Sequence, residues 1–248
     1  MQLELLDYAL ACAAALLAGF VDAIAGGGGL ITLPALLALG LPPQAAIATN
    51  KLQGVFGALA AFLEYRKLID FKGIVIGIMA TAVGSLAGSL IVLHLSNDAV
   101  KPLVLGILIS VFVYSLFIKS DKPHKARMKP GLFYCIFGLT LGFYDGFIGP
   151  GTGSLWIFAS LALLGKDFKQ SSIDTKALNL TSNVIALIVF IYHEQMLWLL
   201  GLSMAVFQII GAILGAKSLM KRPPAFVKKV FFVVVFSCIC KVGASYLL

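Results

Sequence analysis

Long apolar runs with almost no charge recur from one end of this 248-residue chain to the other. A soluble domain of this length cannot remove so much apolar surface from water, because surface falls too slowly relative to volume. Runs of about 20 apolar residues instead have the length that an α-helix needs to cross a bilayer. Short alternating segments, which are typical of a membrane β-barrel, are not seen. The sequence therefore predicts an all-α integral membrane protein.

Ten apolar segments can be recognised, and two of them are unusually short. They lie near residues 5–25, 30–39, 45–65, 72–94, 100–118, 130–149, 154–164, 171–193, 195–216 and 226–247. The short ones, 30–39 and 154–164, cannot cross a bilayer alone. Each follows a glycine-rich stretch in which glycine and proline would break a helix. We therefore expect about eight full transmembrane helices and two half-helices.

Basic residues cluster in four loops, near 66–72, 119–129, 166–169 and 217–229. The facing loops contain few basic residues, with Lys101 as the main exception. Cytoplasmic loops carry this excess of lysine and arginine. We therefore expect these four loops on the cytoplasmic side of a bacterial inner membrane, with both termini on the other side. The net charge of +8 is then explained by membrane loops, and no nucleic-acid partner is expected.

An internal repeat is visible in two separate patches. The stretch GFVDAIAG at 19–26 returns as GFYDGFIG at 142–149, and the lysine of ATNKLQ at 48–53 returns in DTKALN at 174–179. The aspartates of the first pair are 123 positions apart and the lysines of the second pair 125. A nearly constant displacement over two patches indicates duplication.

Each half holds five segments, so the second half must begin on the opposite side of the membrane from the first. This is an inverted-topology repeat, the plan of many secondary transporters. The predicted organisation is a first transmembrane repeat at 1–118, a basic cytoplasmic linker at 119–129 and a second transmembrane repeat at 130–248.

The glycine-rich breaks are candidate ligand sites. Broken helices inside a bilayer persist only where they are buried in protein or line a cavity, because their backbone N–H groups need partners. A half-helix that starts at Gly29 or Gly153 would present N–H groups and its positive dipole end at the break, which favours an anion. Close packing through small residues is the alternative interpretation. The predicted substrate-binding residues here are Gly26, Gly27, Gly28, Gly29, Gly149, Gly151, Thr152 and Gly153.

Two lysines, Lys51 and Lys176, lie inside apolar segments at matching places in the two halves. A lysine within a membrane segment usually marks a pathway or a partner. Both also lie near a segment end, Lys51 toward the outer face and Lys176 toward the inner face, where a lysine can extend to the interface. Polar neighbours could donate hydrogen bonds to an oxyanion. The predicted substrate-binding set therefore also contains Thr49, Asn50, Lys51, Gln53, Thr175, Lys176 and Asn179.

Asp22 and Asp145 each precede a glycine break and are predicted to act in coupling or gating. A membrane carboxylate can carry a proton. It can also form a salt bridge that releases a lysine when substrate binds, or simply cap freed N–H groups. The sequence leaves these three roles open.

No pattern for catalysis, a metal or a cofactor is present. His94, His124 and His193 lack metal-ligand spacing, and there is no His-Glu-x-x-His motif or credible nucleophile-base pair. We therefore expect no enzyme and no cofactor. The expected partners are a small anionic substrate and the lipid bilayer, and monomer and homodimer both stay open.

The motifs at 19–31, 34–36, 48–53 and 142–151 resemble the sulfite exporter TauE/SafE family, and the resemblance covers nearly the whole chain in order. It is closest to the uncharacterised bacterial inner-membrane branch of that family. The resemblance implies an integral membrane transporter for sulfur-containing oxyanions, namely sulfite, sulfonates such as sulfoacetate, or thiosulfate. It also implies secondary transport, because the family's members have no ATPase of their own.

The function expected from residues and resemblance together is secondary transport of a small sulfur-containing oxyanion by alternating access. The anion would bind between two half-helix N-termini near the midplane, and proton coupling stays open. A passive anion channel, or a carrier of another small anion or of a cation, is the alternative.

Overall fold

The computed structural model describes residues 3–117, 125–193 and 196–221, and these ranges contain helices and no β-strand. The helices follow the apolar segments of the sequence. They are α1 (Leu5–Ala25), α2 (Gly29–Ala38), α3 (Pro43–Tyr65), α4 (Phe71–Leu93), α5 (Asn97–Phe117), α6 (Pro130–Phe147), α7 (Thr152–Ala159), α8 (Phe168–Tyr192) and α9 (Trp198–Lys221). A π-helical turn, Ser160–Leu164, continues α7.

The predicted segments agree with the observed helices to within a few residues. The largest difference is at α9, which ends five residues late and begins three residues late, and α5 and α8 each begin three residues early. Asp98 in the first turn of α5 and Lys221 in the last turn of α9 complement the helix dipole, so polar residues extend both helices. The last predicted segment, 226–247, lies outside the described residues, as does most of the linker at 119–129.

Both predicted short helices are present, and glycines with positive φ stand at the breaks before them. Gly26 ends α1 at φ 71°, and Gly151 precedes α7 at φ 80°. Only glycine adopts this left-handed conformation readily, because it has no Cβ. The chain therefore turns at these two points inside the helical bundle.

The side chains are distributed as in a membrane protein. Large apolar residues such as Met79, Val83 and Val206 are exposed, whereas Lys176 and Asp145 are buried. In the described ranges five helices are long and apolar enough to cross a membrane, namely α1, α3, α4, α8 and α9. The prediction of an all-α membrane protein is confirmed at this level.

Helices α1 and α9 pack closely and run parallel, although they come from different halves of the chain. Gly211 lies against the backbone at Leu16, and Gly215 lies against the backbone at Phe20. A Cβ at either glycine would overlap α1, so the absence of a side chain permits the close approach.

Helices α4 and α6 form a second parallel pair between the halves. Gly84 lies against the backbone at Leu139, and Gly88 lies against the backbone at Phe143. The two parallel pairs thus pack in the same way. In each pair one helix, α4 or α9, carries two glycines one turn apart at the contact.

Three of the basic loops lie at one end of the helical bundle. The Nε2 of Gln170 donates to the carbonyl of Leu68 at 3.3 Å, and the N–H of Arg127 donates to the carbonyl of Leu163 at 2.8 Å. The first bond joins the loop after α3 to the start of α8, and the second joins the segment before α6 to the π-helical turn that precedes α8. A shared cytoplasmic side requires such an arrangement.

Lys166 extends the polar surface of this basic end, in the loop between the π-helical turn and α8. Its Nζ lies 2.6 Å from Asp174 Oδ2 and 3.1 Å from the hydroxyl of Tyr134. Burial lowers the pKa of Lys166, but the bonds to Asp174 and Tyr134 raise it by more, so the pKa lies above its ordinary value.

The opposite end is held by a different polar contact. The Nε2 of Gln44, near the start of α3, donates to the carbonyls of Val92 and Leu95 at 3.0 and 2.7 Å. Because α3 begins where α4 ends, these two helices are antiparallel, and this end of the bundle lies opposite the basic loops.

Candidate substrate site between the two glycine breaks

A polar cavity of about 40 Å³ lies where the two glycine breaks meet α3, α8 and α9. A water molecule needs roughly 10–15 Å³ measured in this way, so the space suits a few waters or one small ion. It is lined by Asp22, Gly26, Gly28, Gly29, Asn50, Lys51, Gln53, Gly54, Ala58, Asp145, Gly149, Gly151, Thr152, Gly153, Asn179, Asn183 and Gln208.

The N-termini of both half-helices open into this cavity. Among the hydrogen bonds of the described residues, the N–H groups of Gly29 and Gly153 donate to no acceptor. Side-chain amides reinforce them, because Asn50 Nδ2 lies beside Gly29 and Asn179 Nδ2 lies beside Gly153. Each break therefore offers a backbone donor and a carboxamide donor at the positive end of a helix dipole.

The two breaks touch each other at their glycines. A Cβ built on Gly153 would lie 2.5 Å from Gly26 Cα, and the N–H of Ser154 donates to the carbonyl of Gly26 at 3.2 Å. No side chain fits between the backbones at this crossing. The direct contact holds the two half-helix N-termini around one cavity.

The end of α1 before its break is fully bonded. The carbonyls at positions 22–25 each accept a hydrogen bond from a side chain of another element, which satisfies groups that lipid could not. The donors are Lys176, Tyr65, Ser172 and Ser154, in the order of the carbonyls.

Two ion pairs cross between the halves of the chain. Lys51 of the first half lies 2.7 Å from Asp145 of the second, and Lys176 of the second lies 3.1 Å from Asp22 of the first. The lysine side chains are 1% and 0% exposed. Neither ammonium therefore extends to the interface, and each is buried against a carboxylate.

The two carboxylates differ in their remaining partners. Asp145 accepts a further hydrogen bond from the hydroxyl of Ser182 and is 4% exposed. Asp22 accepts from the N–H of Gly28 at 3.2 Å and is 18% exposed. The structure contains an ion pair in both copies and, at Asp22, a capped N–H group. Release of the lysine on substrate binding and proton transfer both stay predictions.

Most of the predicted substrate-binding residues come together around the cavity, but four lie elsewhere. Gly27 and Thr49 are buried outside the lining, and the hydroxyl of Thr49 accepts the N–H of Leu197 at 3.1 Å. Thr175 donates to the carbonyl of Ser171 in its own helix. Lys176 reaches the cavity only through Asp22.

Four lining residues are absent from the predicted set, namely Gly54, Ala58, Asn183 and Gln208. Asn183 lies one turn after Asn179 in α8, so helical spacing could have found it. Gln208 is a carboxamide inside an otherwise apolar segment, which is itself a sign of a polar contact. Gly54 and Ala58 carry no polar side-chain group and contribute to the cavity only by being small.

Among the described residues, no group of three or more His, Cys, Asp and Glu side chains is arranged to hold a metal ion. The polar atoms of the cavity are mainly amide, glycine N–H and ion-paired groups. An all-helical protein that exposes apolar side chains and encloses such a polar cavity at two helix breaks is a polytopic membrane protein of the broken-helix transporter type.

The chain belongs to the sulfite exporter TauE/SafE family, whose model matches residues 11–242. A Haemophilus influenzae protein named "Probable membrane transporter protein" is 36% identical over 228 residues, which cover 90% of this chain and 89% of the relative. The "Probable membrane transporter protein YfcA" of Escherichia coli K12 is 36% identical over 224 residues, or 89% and 83% of the two chains. The resemblance found in the motifs is thereby confirmed at the level of the family.

Proposed function

We propose that this chain is a secondary transporter of small sulfur-containing oxyanions, such as sulfite, sulfoacetate or thiosulfate. The observation that carries the proposal is the meeting of two half-helix N-termini, with unbonded N–H groups at Gly29 and Gly153, in one cavity beside Lys51. An oxyanion offers the acceptors that these donors lack. The membership of the chain in a sulfite exporter family favours sulfur as the central atom.

Alternating access is supported by the way the two halves pack. Gly84 and Gly211 are 127 positions apart, and their contacts Leu139 and Leu16 are 123 apart; the next glycine in each pair repeats both displacements. Helix α4 thus contacts α6 in the way that α9 contacts α1, so equivalent helices make equivalent contacts between the halves, as an inverted repeat requires. In such transporters the repeats exchange conformations around a fixed central site.

The crossed ion pairs suit this mechanism. Each lysine of one half is bonded to an aspartate of the other, so rocking of one repeat against the other changes the distance within a pair. Both aspartates line the cavity, but the Asp22 side chain is 18% exposed and the Asp145 side chain only 4%. In this conformation the Lys176–Asp22 pair is the more exposed one and the Lys51–Asp145 pair the more buried one. In the alternate conformation their exposures would be exchanged, so each pair would close the cavity on one side of the membrane.

Flux of sulfite into liposomes tests the function. Purified protein is expected to move sulfite, sulfoacetate or thiosulfate, and unlabelled substrate inside is expected to accelerate entry of labelled substrate. A channel cannot show this trans-stimulation. Flux without trans-stimulation would assign a channel, and absence of flux under every ion gradient would overturn the proposal. Liposomes without protein are the control.

We also propose a membrane orientation, with the basic loops in the cytoplasm and the N-terminus outside, because cytoplasmic loops carry an excess of lysine and arginine. Ser96 and Lys67 are both exposed, at opposite ends of α4. In a background without native cysteines, Ser96→Cys is expected to react with an impermeant maleimide in intact cells. Lys67→Cys is expected to react only after permeabilisation. The reverse pattern would invert the orientation.

A further inference from the structure

Three buried carboxamide oxygens accept no hydrogen bond in the part of the chain that the structure describes. They are Gln53 Oε1, Asn179 Oδ1 and Gln208 Oε1. Their residues are 1%, 5% and 3% exposed, and all three line the cavity. A buried acceptor without a donor is unfavourable, so a ligand that brings a donor would relieve the deficit.

Local contacts define which amide atoms are free. Gln53 Nε2 donates to Asn50 Oδ1 at 2.9 Å, and that oxygen also accepts the hydroxyl of Thr32. The nitrogen of Gln53 is therefore engaged and its oxygen is the group left over. Asn50 in turn has its Nδ2 beside Gly29, so the donors of this network are directed at the helix break.

The acceptors form a second wall of the cavity, apart from the helix breaks. The side chain of Gln208 packs directly over Gly57, which lies one turn after Gln53 in α3. Helices α3 and α9 thus place the side chains of Gln53 and Gln208 on the same side of the cavity. The unbonded backbone N–H groups lie at the breaks, whereas the unbonded side-chain oxygens belong to residues of α3, α8 and α9.

The charges around the cavity balance. Lys51 is bonded to Asp145, and Asp22 is bonded to Lys176, so two positive and two negative side chains surround the space. A buried charge that is not compensated is strongly unfavourable. A monoanion at the helix N-termini adds one negative charge, which the helix dipoles stabilise. A dianion adds a second negative charge, and the two lysines beside the cavity, Lys51 and Lys176, are already ion-paired.

We infer that the cavity selects an oxyanion that carries a single negative charge and also a hydrogen-bond donor. Its unprotonated oxygens would face the donors at Gly29, Gly153 and Lys51, and an N–H or O–H would face Gln53 and Gln208. Hydrogensulfite in its HO–SO₂⁻ form satisfies both conditions, because two oxygens accept and the third donates. The dianions of sulfite, thiosulfate and sulfoacetate lack the donor and carry a second charge, so the inference narrows the proposed substrates to hydrogensulfite. This inference rests on the proposed function and names the protonation state that the same site accepts.

Sulfamate and methanesulfonate test the inference as a matched pair. Both are tetrahedral monoanions of nearly equal size at neutral pH, and they differ only in an NH₂ group against a CH₃ group. Calorimetric titration of the full-length protein in detergent is expected to give sulfamate at least about tenfold tighter binding than methanesulfonate, because only sulfamate can donate to the orphaned oxygens.

A variant tests whether the side-chain oxygens of Gln53 and Gln208 cause the difference in affinity between sulfamate and methanesulfonate. Gln208→Met removes the amide at nearly constant volume and is expected to bring the affinity ratio of the two probes toward one. Gln53→Met is the second variant if the first does not fold. Ser203→Ala, on the exposed face of the same helix, is the matched control and should leave the ratio unchanged.

Each outcome decides the inference. Equal affinity for both probes in the unaltered protein would overturn it, and so would an unchanged ratio in a folded Gln208→Met variant. Absence of sulfamate binding would overturn it whether or not sulfite is transported. The liposome assay judges the proposed function separately, since sulfite flux with equal probe binding would retain the transporter and reject only the donor requirement.

Discussion

Lys51→Met is expected to destabilise the protein by about 3–5 kcal/mol, because it leaves the carboxylate of Asp145 buried without its cation. The pair is 2.7 Å apart, with the lysine 1% exposed and the aspartate 4% exposed. Methionine keeps most of the side-chain volume, so the loss reports the charge and not a cavity. Chemical denaturation in detergent micelles, followed by intrinsic fluorescence, measures the change in the free energy of unfolding.

The double variant Lys51→Met/Asp145→Asn removes both charges and is expected to regain most of that stability. It is not expected to regain sulfite flux, since the cavity has then lost a cation. Lys166→Met is the matched control. It breaks the ion pair with Asp174, but the Lys166 side chain is 25% exposed, so water compensates part of the loss and the effect is smaller. A double variant as unstable as the single one would show that charge imbalance is not the cause.

Gly26→Ala is expected to destabilise the protein by about 2–5 kcal/mol, which combines left-handed backbone strain with overpacking. Gly26 has φ 71°, and a Cβ there would lie 2.6 Å from the backbone nitrogen of Ser154. Alanine would therefore force apart the two half-helix N-termini that enclose the cavity. Thermal unfolding and size-exclusion chromatography of the purified variant measure the effect, and substrate flux is expected to be lost.

Gly106→Ala is the control for this substitution. Gly106 lies in α5, and a Cβ there would meet nothing within 4 Å. Alanine is a better helix former than glycine by about 1 kcal/mol, so this variant is expected to be as stable as the unaltered protein or slightly more so. Equal loss in both variants would mean that the contact between Gly26 and Ser154 is not the reason for the destabilisation.

The helices could be predicted well because their signal is local. Apolar length and the glycine stretches identified the nine α-helices of the described ranges, including the two short ones, without knowledge of their neighbours. The paired lysines and aspartates were also identifiable, since a charge inside an apolar segment stands out at any single position. The family followed from motifs that include the same residues.

The arrangement around the site could not be predicted in the same way, because it depends on which helices pack together. Nothing in the sequence near Lys51 shows that its partner is Asp145 and not Asp22. That choice depends on how the helices of the two halves pack against each other, which includes the contact between the breaks at Gly26 and Gly153. For the same reason Thr175 was predicted to face the ligand, whereas its hydroxyl is bonded within its own helix.

The crossed ion pairs also have a consequence for the synthesis of the protein. The first half emerges from the ribosome with Lys51 and Asp22, but the partners of both lie in a half that has not yet been made. Until Asp145 and Lys176 enter the membrane, the nascent first half must keep its two charges in contact with water or with each other. The final docking of its helices is therefore a late step of biogenesis that waits for α6 and α8.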